Sequence, residues 1–184
     1  MVNRKSGEIS MDKSYCIFGD SVTQAAYVKE AWVDLLRAYL EDKFPNDFVN
    51  VFNLGVGGNT TNDILKRFNE ESLVRVPTSI IFAVGINDSS YIEKNLFKSN
   101  LEKLCDLAIK FSTDITFVGP VLSVDSRDRK RVEDYNNVLE TVVLSRNFKF
   151  IQLLDKLAPQ DFIDGLHPNE QGHGKMFEII KKYF

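Results

Sequence analysis

The sequence predicts an α/β fold: a three-layer sandwich in which helices cover both faces of a five-stranded parallel sheet. Two observations carry this. Short apolar runs, nearly continuous and rich in β-branched residues, alternate with longer stretches whose apolar residues recur at helical spacing. The alternation continues from Tyr15 to the last residue without an internal repeat, a low-complexity segment or a change in composition. Repeated βα units of this kind close into a parallel sheet with right-handed crossovers.

The expected strands are Tyr15–Phe18, Phe48–Leu54, Ser79–Val84, Asp114–Gly119 and Phe148–Leu154. Between the first two, Trp32, Leu35, Leu36, Tyr39 and Leu40 form one apolar helix face. A shorter helix is expected over Thr60–Phe68. Phe97, Leu101, Leu104, Ala108 and Phe111 mark the next helix, and Val132, Tyr135, Leu139 and Val142 the one after it. A closing helix carries Met176, Phe177, Ile180 and Phe184.

Composition bounds the function. A chain of 184 residues, 43% hydrophobic and 27% charged, fits one globular domain with a substantial core. A formal net charge of −3 gives no electrostatic reason for a nucleic-acid or anionic-membrane partner. The densest basic patch, Arg127 to Arg131, is interrupted by Asp128 and reads as solvated surface. No apolar stretch reaches the ~18 residues of a membrane helix, so no integral membrane segment is expected. Residues 1–13 are polar, lack the apolar core of a signal peptide and read as a flexible leader, with Met11 an alternative start, so the domain is placed at 14–184. The two cysteines, Cys16 and Cys105, sit among apolar neighbours and read as buried thiols, of a reducing compartment or of a protein indifferent to redox state; the cytoplasm is the expected location. Neither has metal-site spacing.

Four short segments each follow an expected strand. Phe18-Gly19-Asp20-Ser21 places a serine on a strand-to-helix turn, its hydroxyl near the positive end of a helix dipole. Asn53-Leu54-Gly55-Val56-Gly57-Gly58-Asn59-Thr60 follows the second strand, Gly85-Ile86-Asn87-Asp88 the third, and Asp164-Gly165-Leu166-His167-Pro168 the fifth. In open α/β sheets, function falls in the crevice beyond the carboxyl ends of the strands. A serine hydroxyl is a poor nucleophile until a base removes its proton. Only two histidines exist, and His167 stands three residues after Asp164 with a glycine between. That spacing lets the carboxylate reach back to Nδ1, fixing the tautomer and leaving Nε2 for Ser21. His173 lacks such a partner and reads as structural or exposed.

These segments resemble the GDSL esterases and lipases, also called SGNH hydrolases, with Ser21, Gly58, Asn87 and His167 in the family's order. The resemblance runs from Tyr15 to about Gly172; the first segment has Val22 where the family name has leucine. It implies a flavodoxin-like strand order, 2-1-3-4-5. It also implies an oxyanion hole built from the backbone N–H groups of Ser21 and Gly58 and the side-chain amide of Asn87. No metal or organic cofactor is implied, and the expected partner is a small-molecule ester or thioester. The same residues would serve a carbohydrate O-deacetylase. Gly119-Pro120 looks like a substrate wall.

Bland roles are expected for the neighbours: Asp20 as a turn-former, Gly55 and Gly57 as turn glycines, and Asp88 in an Asx turn. The charged stretch Asp125 to Asp134 reads as an exposed loop leading into a helix. A binding module of flavodoxin type is the alternative of another class, with the Gly55–Thr60 loop holding a phosphate. That loop lacks the Gly-Lys-Ser/Thr of a P-loop and leaves Asp164 and His167 without purpose. The loops Ser89–Lys94 and Ser123–Glu133 are short or charged, so no apolar lining for a long acyl chain is visible. Short acyl groups are expected.

Overall fold

A computed structural model describes residues 12–123, 126 and 128–184. Its strands β1 (Asp12–Gly19), β2 (Phe48–Gly55), β3 (Ser79–Ala83), β4 (Asp114–Val118) and β5 (Lys149–Ile151) are all parallel. They lie in the order β2-β1-β3-β4-β5, as the resemblance implied. The helices are α1 (Ser21–Gln24), α2 (Trp32–Lys43), α3 (Thr61–Arg75), α4 (Ile86–Tyr91), α5 (Lys94–Ala108), α6 (Arg129–Ser145) and α7 (Glu170–Ile180).

Period-two alternation sorts the strand side chains into two cores. Cys16, Phe18, Ile80, Phe82, Ile115 and Phe117 pack with Ile64 and Phe68 of α3, Phe97 and Leu101 of α5 and Leu139 of α6. Tyr15, Ile17, Ile81, Val118 and Ile151 pack on the other face with Trp32, Leu36 and Leu40 of α2 and Met176 and Ile180 of α7. The expected helix faces are therefore the buried ones. Phe82 sits with its ring centroid 5.6 Å from Phe18 and 4.8 Å from Phe117, in the middle of the sheet. Truncating such a side chain costs about 3–5 kcal/mol. Cys16 and Cys105 are buried, unpaired thiols, and burial pushes both up to about 11.

Element ends differ from expectation where apolarity and backbone pairing part company. Asp12 and Lys13, assigned to the leader, pair with Phe48 and Val49, so the first strand takes two residues from it; residues 1–11 lie outside the described residues. β5 stops at Ile151 because β4 offers it only three partners; Leu153 and Leu154 are buried without belonging to the ladder. α3 runs on to Arg75, well past Phe68. Its last turns expose Leu73 and Val74 but hold the i,i+4 pairs Arg67–Glu71 and Arg75–Glu71, and Pro77 stops it. Ser89 to Tyr91 are not loop but the end of α4, and Arg129 onward is α6. Of the stretch expected as an exposed charged loop, Asp125 and Arg127 lie outside the described residues. Arg129 is instead tied to Glu133 and Asp155.

Of the two roles expected for His173, structural or exposed, the structure shows the first. It is buried in the first turns of α7, and its Nδ1 accepts the Trp32 N–H at 3.4 Å. Burial lowers its basicity to about 4, against 6.5 ordinarily, with the Asp34 carboxylate opposing. The folded state then carries fewer protons than the unfolded chain between those values, so stability is lost as pH falls from 6.5 towards 4. The full effect is about 3 kcal/mol. Urea unfolding of the wild type and His173→Gln across pH 4 to 7 should show their stability difference growing with pH over that window. A constant difference would remove His173 as the linked group.

Candidate active site

β1 ends at Gly19, and Ser21 is the first residue of α1. Between them Asp20 is extended, and its carboxylate accepts the Val22 N–H at 2.9 Å, capping the short helix. This is the turn-forming role expected of it. Asp20 is buried, and burial pushes its carboxyl up to about 6 against the pull of the Val22 N–H. The turn is tight because α1 rests on the end of β2: a Cβ at Gly55 would meet the Gln24 backbone nitrogen at 2.4 Å.

From the far end of the chain, the loop after β5 delivers the other two groups. Ser21 Oγ lies 2.9 Å from His167 Nε2, and His167 Nδ1 lies 2.8 Å from Asp164 Oδ2. A carboxylate at Nδ1 holds the proton there and leaves Nε2 as acceptor for the serine hydroxyl. Gly165, at φ +82°, makes the turn that folds Asp164 back. The second carboxylate oxygen accepts the Leu166 and His167 N–H groups at 3.0 and 2.7 Å. Partial burial works to raise the Asp164 carboxyl, but these bonds and the imidazole outweigh it and hold it down to about 2. The loop is closed at its base by the Ile163 N–H bonding His167 O at 2.8 Å and by a bridge between Phe162 and Pro168. The Ser123 N–H ties Gly165 O to the loop after β4.

The two loops expected to carry oxyanion donors are bonded to each other. Asn87 Nδ2 donates to Asn59 O at 3.1 Å, which leaves its second amide hydrogen for a ligand. Gly58 is exposed with φ +78°, and an added Cβ would meet nothing within 4 Å, so its glycine answers to backbone conformation and not to crowding. A Cβ on neighbouring Gly57 would stand 3.9 Å from Ser21 Cβ, which puts this loop against the serine. Besides the local backbone N–H groups of Gly85 and Asp88 itself, the Asp88 side chain has a distant partner. Its buried carboxylate reaches α3, accepting the Thr61 N–H at 2.9 Å and the Thr61 hydroxyl at 2.6 Å. Burial raises its carboxyl against the pull of both bonds.

Sequence reasoning missed the residue that holds the second loop. Arg67, on α3, donates from Nε to Asn59 Oδ1 at 3.0 Å and from Nη2 to Leu54 O at 2.7 Å. Glu71 takes a third bond at 3.0 Å, and the guanidinium lies over the Phe18 ring at 5.5 Å. One fork thus grips both ends of the loop from Leu54 to Asn59. Nothing in a lone arginine on a helix face signals this.

A cleft of about 350 Å³ opens between the segments that follow β3, β4 and β5, and both Asn87 and Asp164 line it. Ile86, Tyr91, Leu122, Val132 and Leu166 give it apolar walls, interleaved with Ser89, Ser90, Ser123 and Asp128. The absence of apolar lining expected above is thus corrected, because α4 and the start of α6 supply it where loops were expected. Gly119 and Pro120 are buried and line a smaller pocket with Asp20, Val22 and Ile86, whereas Leu122 and Ser123 line the cleft itself.

Fold and site together define a serine hydrolase of carboxylic esters. The chain belongs to the GDSL-like Lipase/Acylhydrolase family, whose sequence pattern matches residues 17–175. It is similar to an acetylxylan esterase from Geobacillus stearothermophilus, 20% identical over an alignment of length 199 that takes in 90% of this chain and 91% of the relative. Among solved structures it is similar to an alpha/beta hydrolase enzyme from the metagenome of Lake Arreo, Spain (TM-score 0.84, 20% identity, 95% and 96% of the two chains). The crystal structure of Axe2, an acetylxylan esterase from Geobacillus stearothermophilus, superposes with TM-score 0.82 at 18% identity over 95% of each chain. Family membership sets the phosphate-binding module aside.

If Arg67 sets the geometry of the oxyanion loop, Arg67→Ala should lower kcat by about tenfold to a hundredfold with KM little changed. Methylguanidine added to that variant should recover part of the loss. A variant that is merely less stable, with kcat intact below its melting temperature, would assign Arg67 to stability alone.

Proposed function

We propose that the protein is a serine esterase that removes short acyl groups through an acyl-enzyme on Ser21, acting first of all on acetyl groups carried by carbohydrate hydroxyls. The observation that carries this reading is the continuous hydrogen-bonded line from Ser21 Oγ through the His167 imidazole to the Asp164 carboxylate, at 2.9 and 2.8 Å. Ser21 attacks the acyl carbonyl while His167 Nε2 takes its proton, and Asp164 stabilises the resulting imidazolium. The carbonyl oxygen becomes an oxyanion. It is received by the Ser21 N–H, which as the first residue of a helix has no intrahelical partner, by the Gly58 N–H and by the second Asn87 amide hydrogen. Collapse returns the proton from His167 to the leaving alcohol. Water, deprotonated by the same imidazole, then releases the acid and restores Ser21.

Several observations support the substrate class. The similar acetylxylan esterase has been solved with catalytic substitutions at a serine, an aspartate and a histidine, the last two separated by the same three positions as Asp164 and His167. The cleft volume of about 350 Å³ lies at the small end of ligand sites, and its serines and Asp128 break up the apolar surface a long acyl chain needs. Among the described residues no helix is long and apolar enough to cross a membrane. The unpaired Cys16 and Cys105 fit a reducing compartment, the cytoplasm.

Two measurements test the reading. A fluorophosphonate probe should label the wild type and not Ser21→Ala, and acetate release from acetylated xylo-oligosaccharides should disappear with the label. Asp164→Asn should keep the fold and lose kcat by orders of magnitude, about 10⁴-fold in serine proteases. Persistent turnover in pure Ser21→Ala would falsify the assignment. Across p-nitrophenyl esters of rising acyl length, kcat/KM should peak at acetate or butyrate, and an optimum at long chains would overturn the short-acyl reading.

A further inference from the structure

We infer that the groove beside Tyr27 is the subsite for the alcohol half of the ester and takes a pyranose ring whose hydroxyl carries the acyl group. This rests on the esterase reading above and assigns the residue that would recognise the sugar. Tyr27 lies in the connection from α1 to α2, where the chain twice enters left-handed backbone at residues with side chains: Ala25 at φ +73° and Tyr27 at φ +68°. Such conformations are rare outside glycine, and they persist only where the surroundings over-determine them. The outcome here is a tyrosine placed outside the core. Tyr27 is 75% exposed as a residue, and its ring meets the His167 imidazole edge to face, with centroids 5.0 Å apart and planes at 77°.

The direction of proton transfer decides which half of the substrate belongs there. His167 returns its proton to the leaving oxygen, so the alcohol lies on the imidazole side, while the carbonyl oxygen is drawn to Asn87 and Gly58. The aromatic ring against that imidazole is Tyr27. A second groove of about 370 Å³ runs from it, lined by Tyr27, Val28, Ile163, Asn169, Glu170 and Gln171. Asn169 is already committed, giving its amide to Gln160 O and accepting the Gly172 N–H, so Glu170 and Gln171 supply the polar rim. A pyranose matches this composition. Its C–H face packs on an aromatic ring, and its equatorial hydroxyls need a carboxylate and an amide at the edge. A simple alkyl alcohol needs neither.

The test compares an O-acetylated methyl xylopyranoside with ethyl acetate, which carries the same acyl group on an alcohol without a ring. The wild type should prefer the pyranoside ester. Tyr27→Ala should lose about tenfold in kcat/KM on the pyranoside, chiefly through KM, and at most about threefold on ethyl acetate. Tyr27→Phe and Tyr27→Trp should restore the preference, which also shows that the alanine variant failed for want of a ring. In the Ser21→Ala background, which leaves the ester intact, calorimetric titration should show Tyr27→Ala weakening pyranoside binding by a similar factor. If Tyr27→Ala keeps the wild-type preference, or loses kcat equally on both esters, the ring does not hold sugar and the inference is overturned while the esterase stands. If the wild type cleaves ethyl acetate without preferring the pyranoside, the carbohydrate reading fails and takes this subsite with it.

Discussion

β1 is hydrogen-bonded in parallel on both sides, to β2 from Asp12 to Gly19 and to β3 from Tyr15 to Phe18. Because the chain leaves β1 towards β2 and then crosses back to β3, the loops after β1 and β3 diverge at the sheet edge. A crevice opens between them. Ser21 stands on one lip and Asn87 on the other. The loop after β2 reaches the same edge from a strand in register with β1, and strands buried on both faces cannot slip by one residue without turning Phe18 and Phe82 out of their core. The sheet's centre therefore sets the positions of side chains at its rim.

Strand register alone fixes loops only roughly, and the site relies on side chains that join one loop to the next. Asp88 bonds Thr61 at the start of α3, Asn87 bonds Asn59, and Arg67 grips Leu54 and Asn59 from the same helix. These links join α3 and α4 to the segment between Leu54 and Asn59 and hold it against the loop that carries Asn87. The buried carboxylate of Asp88 is tolerated because the Thr61 N–H and hydroxyl both answer it. Loss of either partner leaves a buried polar group unmatched.

The fold was legible because burial on both faces of a parallel sheet writes long apolar runs into the sequence, and because helix faces repeat every turn. The Asp164–His167 pair was legible too, since its chemistry is local and spans four consecutive positions. What escaped notice was non-local or depended on backbone geometry. Asp88 looked like a local turn because its partner Thr61 is far away in sequence. Arg67 looked like any exposed helical arginine. Tyr27 owes its placement to a left-handed backbone that no residue pattern announces. α4 was read as loop because six residues are too few to show a helical period.

The closed loop between Phe162 and Pro168 has a consequence for how activity can fail. Asp164 and His167 share one short hairpin, latched by the Ile163–His167 bond and moored to the loop after β4 through Gly165. They therefore arrive at Ser21 or depart from it as a cartridge. Opening the hairpin would take both side chains from Ser21 together, and closing it would return both in one step, so the distance between His167 and Ser21 is set by the latch and mooring bonds and not by either side chain alone.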